Sequence, residues 1–350
     1  MKAINKLLVV SFLMGSLACS KEEKAGNTEP VKPVYDMTGF ARGADVSWLT
    51  QMEKASVKFY NASGRETECL TLLRDLGMNA IRLRVWVNPA DGWCNTKDLV
   101  NKARRAHQLG MRLMIDFHYS DTWADPGHQT KPAAWKNFSF EALKAAVATH
   151  TKEVLKALKE KGITPEWVQI GNETGNGMLW NEGKADAHIK NYADLTRAGY
   201  AAVKEISPQT KVIVHLPSGD QNALYRWLFD GLKANGAPWD VIGLSLYPAK
   251  ETWQQMTTGC IANMNDMIVR YGSEVMLCEV GMPWDDAATA KSFLTELMTK
   301  SKAISQCLGI FYWEPQSYNG WNGYSLGAFD NSGKPTEALD AFAAAAVSYR

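Results

Sequence analysis

The sequence predicts a (β/α)8 barrel, and three observations carry that reading. From Phe40 onward, short apolar runs alternate with longer amphipathic ones; the alternation repeats eight times; and no Pro/Gly/Ser-rich linker interrupts residues 40–350. Strand followed by helix, repeated, gives parallel strands with right-handed crossovers, and eight such units close into one barrel domain. An open doubly wound sheet is the structural alternative. It would use fewer strands and a Gly-rich turn after the first, which Gly43-Ala44-Asp45 does not supply.

Strands are expected at Gly43–Trp48, Ala80–Val87, Arg112–His118, Trp167–Glu173, Lys211–Leu216, Val241–Tyr247, Val275–Gly281 and Gly309–Glu314. Between them, apolar residues at three-to-four spacing predict helices over Glu66–Leu76, Lys97–Leu109, Glu141–Lys161, Lys184–Ile206, Ala223–Ala234, Trp253–Tyr271, Ala287–Lys300 and Pro335–Ser348. Gly77, Gly110, Gly162 and Gly272 stand where a left-handed C-cap is expected.

Composition is that of an ordinary globular protein, with 46% hydrophobic and 21% charged residues. The formal net charge of +1 gives no indication of nucleic acid or an acidic polymer as partner. The 13 Trp are more telling, because indole faces that escape the core stack on the C–H surfaces of sugars.

The N-terminus is expected to be a targeting segment. Lys2 and Lys6 precede an apolar run from Leu7 to Leu17, too short to span a bilayer, and Ala18-Cys19 follows. This pattern resembles a lipoprotein signal over residues 1–18, with Cys19 as the lipidated first residue. Ser20-Lys21-Glu22-Glu23 resembles an acidic export tag of Gram-negative surface lipoproteins. The expectation is an outer-membrane lipoprotein at the cell surface, with a polar tether over residues 19–35 and a monomeric catalytic domain over 36–350. Cys69, Cys94, Cys260, Cys278 and Cys307 remain; five is odd, so at least one thiol is free or pairs outside the chain. Cys278 lies mid-strand and reads as a small buried hydrophobe.

In such a barrel, reactive groups gather at the C-terminal ends of the strands. In chain order those ends offer Asp45; Arg82 and Arg84; Asp116 and His118, with Asp121 and Trp123 just beyond; Asn172 and Glu173; His215; Tyr247; Glu279; and Trp313 with Glu314. Glu173 and Glu279 each close an apolar run, where a carboxylate is costly unless the strand end opens into a polar cleft. The fourth and seventh strands lie on opposite sides of the ring, so the two carboxyls can flank a sugar, as glycoside hydrolysis requires. A gap of about 5–5.5 Å gives retention and about 6.5–9.5 Å inversion. Metal catalysis is disfavoured, because His118, Asp121 and His128 lack tight ligand spacing.

Several segments together resemble glycoside hydrolase family 53, the retaining endo-β-1,4-galactanases. They are Gly43-Ala44-Asp45-Val46-Ser47, Arg82 to Pro89, the long Asp116-Phe117-His118-Tyr119-Ser120-Asp121-Thr122-Trp123-Ala124-Asp125-Pro126, Gln169 to Glu173, and Phe311 to Pro315. The resemblance implies Glu173 as acid/base and Glu279 as nucleophile, acting on galactan side chains of pectin without a cofactor. The acid must hold its proton while the nucleophile is ionised, so the two environments must separate their pKa values. Tyr247 and an arginine of the second strand are expected to hold Glu279 ionised. Arg82 and Arg84 share a face by strand alternation, and Arg84, nearer the mouth, is the preferred partner. Asn172 is placed for the sugar 2-hydroxyl and Trp313 for the floor under the central sugar. Asp45, Arg84, Trp86, His118, Asp121, Trp123, His215 and Tyr247 complete the expected substrate-binding set; for His118 and His215 the alternative is a satisfied core histidine. Some bacterial relatives hold calcium in a long loop after the seventh strand. Here Val280 to Asp286 is short, so a structural calcium is doubtful. Rival readings are another retaining β-1,4-glycanase, on mannan or xylan, and a non-catalytic glycan-binding lipoprotein.

Overall fold

The computed structural model describes residues 39–347. The expected signal segment, Cys19, the whole of the expected tether and the first three residues of the expected catalytic domain lie outside these residues, as does Ser348. Eight parallel strands close into a barrel in sequence order: β1 (Ala41–Asp45), β2 (Ala80–Val85), β3 (Arg112–Phe117), β4 (Trp167–Ile170), β5 (Lys211–Leu216), β6 (Val241–Leu246), β7 (Glu274–Val280) and β8 (Cys307–Trp313). The helices are α1 (Leu49–Lys54), α2 (Cys69–Asp75), α3 (Thr96–Gln108), α4 (Phe140–Lys159), α5 (Ala185–Ile206), α6 (Asn222–Ala234), α7 (Trp253–Tyr271), α8 (Ala287–Lys302) and α9 (Asp340–Val347). Among the described residues, no helix is long and apolar enough to cross a membrane.

Differences from the expected boundaries have local causes. The helix expected from Glu66 begins at Cys69, because the Glu68 carboxylate accepts from the Thr71 N–H and caps the first turn. The fourth strand stops at Ile170, since Gly171 takes φ +79° and Glu173 φ +46°, which turns the chain out of the ladder. A Cβ at Gly171 would also lie 2.5 Å from the Thr174 methyl. The final helix expected from Pro335 is divided into a 3-10 turn over Glu337–Leu339 and α9. The short α1 was not foreseen.

Period-two alternation separates two apolar layers. Outward residues such as Ile81, Leu83, Ile115 and Val168 pack beneath the helices in one large core. Inward residues Ala41, Ala80, Met114, Trp167, Ile213, Val241, Met276, Cys278 and Phe311 fill the barrel as a second core. Above this plug, towards the strand ends, the same inward rows turn polar: Asp45, Arg82, Asp116, Gln169, His215 and Ser245 are all fully or almost fully buried. The five described cysteines are free and buried.

Strict alternation would point Cys278 inward and Glu279 outward. The β6–β7 register instead shifts between Leu244 and Ser245, so that Leu244 pairs with Leu277 and Ser245 with Glu279. This one-residue irregularity re-aims Glu279 into the barrel mouth, a familiar use of β-bulges beside active sites.

Candidate active site

The strand ends open into a cleft of about 880 Å³. Its lining includes Glu173 and Glu279, the Asn172 amide, the Tyr247 phenol and an aromatic wall of Trp48, Trp86, Trp123, Trp313 and Tyr324.

Glu279 is held from two sides. The Arg82 guanidinium lies 2.8 Å from Oε1, and the Tyr247 hydroxyl donates to Oε2 at 2.8 Å. Arg82 also donates to Asp45 (2.7 Å), Asp116 (3.0 Å), the Asn172 side-chain oxygen (2.9 Å) and the Gln169 side-chain oxygen (2.6 Å). Burial raises the carboxyl of Asp116, but Arg82 and then His118 outweigh it and hold the group below the usual range.

The Arg82 network corrects one expectation. The partner of Glu279 is Arg82, not Arg84. Both arginines point inward, but Arg82 reaches across the barrel beneath the site, whereas Arg84 pairs at 2.8 Å with Glu314, just past the end of β8, two strands away in the ring. Three indoles surround Arg84, with Trp123, Trp48 and Trp86 at 4.3, 5.3 and 5.4 Å from its guanidinium carbon. Glu314 is fully buried at φ +47° and also accepts from the Trp48 N–H and the Gln316 amide. Arg84 still lines the cleft.

The acid/base candidate stands in a different setting. Burial pushes the Glu173 carboxyl well above the ordinary range, and a hydrogen bond from Ser245 offsets part of the rise. Burial raises Glu279 too, while Arg82 lowers it and the charge of Glu173 raises it again. Two carboxyls that repel each other, Glu279 buried and Glu173 half-buried, retain a shared proton near neutrality. The direct contacts from Arg82 and Tyr247 favour charge on Glu279, which leaves the proton on Glu173.

A chain of hydrogen bonds ties these settings together. The Gln169 amide is oriented by Arg82 on its oxygen and by Asp116 on its nitrogen, so its N–H also donates to His215 Nδ1 at 2.9 Å. With Nδ1 accepting, His215 Nε2 donates to the Ser245 hydroxyl at 2.8 Å, leaving that hydroxyl proton for Glu173. Burial drives the His215 pKa far down, consistent with a neutral ring.

His215 and Asp45, expected among the substrate-binding residues, do not line the cleft. Both are fully buried, His215 behind Asn172 and Asp45 against Arg82 and Ser47. Each sits one layer below its strand-end neighbours, so each positions other groups. His118 lines the cleft with both ring nitrogens engaged: Nδ1 accepts from Trp86 Nε1 and the Ala124 N–H, and Nε2 bonds Asp116. Asp121 lines it too, its oxygens accepting from the Asn88 and Ala133 N–H groups and fixing two loops. Asn172 presents its amide between Arg82 and the Ala124 carbonyl. Trp86, Trp123, Tyr247 and Trp313 all reach the cleft. Sequence reasoning missed Gln169, Ser245, Trp48 and Tyr324. Period-two counting would have found the first two, since Ser245 stands two before Tyr247 on β6; the aromatic pair comes from loops and carried no signal.

Opposed carboxyls at the ends of β4 and β7, in a cleft walled by aromatic rings, define the site as that of a (β/α)8 glycoside hydrolase. The family model "Glycosyl hydrolase family 53" matches residues 41–342, and the chain belongs to that family. Among relatives, an endo-beta-1,4-galactanase of Bacillus subtilis (strain 168) is 31% identical over 363 residues, which covers 90% of this chain and 82% of that one. An arabinogalactan endo-beta-1,4-galactanase of Humicola insolens is 32% identical, over 78% and 89% of the two chains. The solved structure of a fungal beta-1,4-galactanase superposes with a TM-score of 0.81 at 30% identity, over 87% of this chain and 98% of that chain. The GH53 catalytic domain of Ignisphaera aggregans gives 0.79 at 30% identity, over 87% and 95%.

Proposed function

We propose that the protein hydrolyses internal β-1,4-galactosidic bonds of galactan by a retaining double displacement. The observation that carries the chemistry is the different company the two carboxyls keep, with the Arg82 cation and the Tyr247 hydroxyl on Glu279 and the neutral Ser245 hydroxyl on Glu173. The substrate class follows from the family and from the relatives named above. An open cleft rather than a closed cavity suits attack within a chain.

In the first step a Glu279 oxygen bonds to the anomeric carbon as the glycosidic bond breaks, and Glu173 gives its proton to the departing oxygen. The charge on Glu279 is thereby consumed, and Glu173 becomes a carboxylate. In the second step Glu173 takes a proton from water, whose oxygen displaces Glu279 and restores both groups. Asn172 is assigned to the sugar 2-hydroxyl and Trp313 to the face of the central sugar. Neither step calls on a cofactor.

Export to the cell surface as a lipoprotein acylated on Cys19 is part of the same reading. Its support is the Lys2/Lys6, Leu7–Leu17 and Ala18-Cys19 pattern, and a polymer too large to cross an outer membrane is best met outside it. The domain is read as a monomer.

The test is release of reducing ends from galactan, with mannan and xylan alongside. Wild type should act on galactan and Glu279→Ala should lose at least about a thousandfold in kcat, as expected for removal of a nucleophile. Equal release by the two proteins would falsify the nucleophile assignment. Preferential action on mannan or xylan would overturn the substrate.

A further inference from the structure

Next to the active-site cleft lies a second groove of about 510 Å³, and the two share Asp91 and Trp93 as lining. Trp93 belongs to the β2–α3 loop, which is firmly built. The Trp86 N–H donates to the Cys94 carbonyl at 2.8 Å, the Cys94 N–H to the Asp98 carboxylate at 2.8 Å, and the Trp93 N–H to Asp91 at 3.1 Å. Yet the indole itself is half-buried, stands outside the hydrophobic core, and stacks on no other ring among the described residues. A rigid loop that displays a bare indole between two cavities is a surface for a sugar ring.

Beyond Trp93 the groove follows α3, where Lys97 and Arg104 lie seven residues apart on one face, and Lys161 joins them from the end of α4. All three are exposed, and none has a side-chain hydrogen bond or ion pair among the described residues. The acids nearby do not answer them. Asp98 is already taken by Lys102 at 2.6 Å, which leaves Asp91 alone against three cations. A neutral sugar gains nothing from this excess of positive charge; a chain of carboxylate-bearing sugars does.

We propose that this groove is a second glycan site that binds uronate residues of an acidic pectic chain while the cleft works on its neutral β-1,4-galactosyl arm. Trp93 carries the chain across the rim, and Lys97, Arg104 and Lys161 pair with its carboxylates. The site adds recognition of the anionic portion of the polymer to the galactanase reading, on which its neutral half rests.

The experiment has two readouts. A short oligogalacturonate, which offers no galactosidic bond to cleave, is titrated into the protein. In parallel, kcat/KM is measured on neutral linear galactan and on galactan still attached to uronate-bearing pectin. Wild type should bind the oligogalacturonate in low salt and favour the acidic substrate by about three- to tenfold, the sum expected of three exposed ion pairs. Both effects should fade towards ~1 M salt. Lys97→Gln/Arg104→Gln/Lys161→Gln changes only exposed side chains. It should lose the binding and the preference, with unchanged kcat/KM on neutral galactan. Absence of oligogalacturonate binding, or a preference that survives the triple variant, overturns the proposal. So does a wild type that ignores oligogalacturonate but binds vesicles of anionic lipid, which would make the patch a membrane contact. Oligogalacturonate binding without cleavage of neutral galactan supports the groove and sinks the galactanase reading alone.

Discussion

Arg82 sits among three carboxylates and two amides; Arg84, two residues nearer the mouth of the same strand, sits among three indoles and one carboxylate. Every nitrogen of the Arg82 guanidinium has an acceptor. Arg84 leaves Nε and Nη2 without one, both buried and faced by aromatic rings instead. One arginine is therefore fixed by direction and the other by shape. The first suits a task in which charge must be delivered to a particular oxygen, that of Glu279. The second suits a wall whose tryptophans must hold their places while sugars slide past, since π faces attract a cation without demanding a single orientation.

Arg82→Lys breaks the first arrangement most sharply. An ammonium cannot span five acceptors, so Glu279 loses its cation or shares it with Asp45 and Asp116. We expect kcat to fall by about a hundredfold or more, the scale of losing one preorganised electrostatic contact. The sign of the pH effect follows from the cause. Arg82 lowers the Glu279 pKa, so its weakening raises that pKa, and the acidic limb of the pH–rate profile moves to higher pH. An unmoved acidic limb would show that Arg82 only braces the fold.

Arg84→Met tests the second arrangement and should act first on stability. It leaves Glu314 buried without its cation, at a cost of about 3–5 kcal/mol by the rule for broken buried pairs. Arg84→Met/Glu314→Gln should recover most of that loss in thermal unfolding. Its residual defect should be a raised KM with kcat within a few-fold, because the indoles shift and the carboxyls do not. A lost kcat with normal KM would place Arg84 in the chemistry.

Ser245→Ala is the mildest change. Ser245 lowers the Glu173 pKa, so its removal raises it. Glu173 must be protonated to act as acid, and activity falls as pH rises through its pKa. The basic limb of kcat/KM should therefore move to higher pH, by about half a unit, the scale of one hydrogen bond of under 1 kcal/mol. A basic limb that stays put would remove Ser245, and His215 behind it, from control of the acid.

The barrel was legible because alternation of short apolar and long amphipathic runs is a property of local sequence, and β5 and α7 fall where the periodicity puts them. The candidate site followed because a barrel sends every strand end to one mouth. What stayed hidden depends on contacts between distant residues. Arg82 and Arg84 share a face, and only their partners from other strands, Glu279 of β7 for one and Glu314 just past β8 for the other, distinguish them. Glu279 lies on the inward row through a register shift that no single strand reveals. Asp45 and His215 have the right chemistry at strand ends but sit one layer too deep. The cationic groove escapes a whole-chain charge of +1, because Lys97, Arg104 and Lys161 gather only when α3 packs beside the end of α4.

The five buried thiols carry a consequence for how long the enzyme lasts outside a reducing compartment. No bridge closes a loop among the described residues, so reductants should leave the folded barrel's stability untouched. Oxidants and alkylating agents can reach Cys69, Cys94, Cys260, Cys278 and Cys307 only when the barrel opens, and each such event can turn a reversible excursion into permanent loss. The working lifetime of the protein in an oxidising medium is then set by how often it opens, and the rate at which its thiols are labelled is a direct clock for that event.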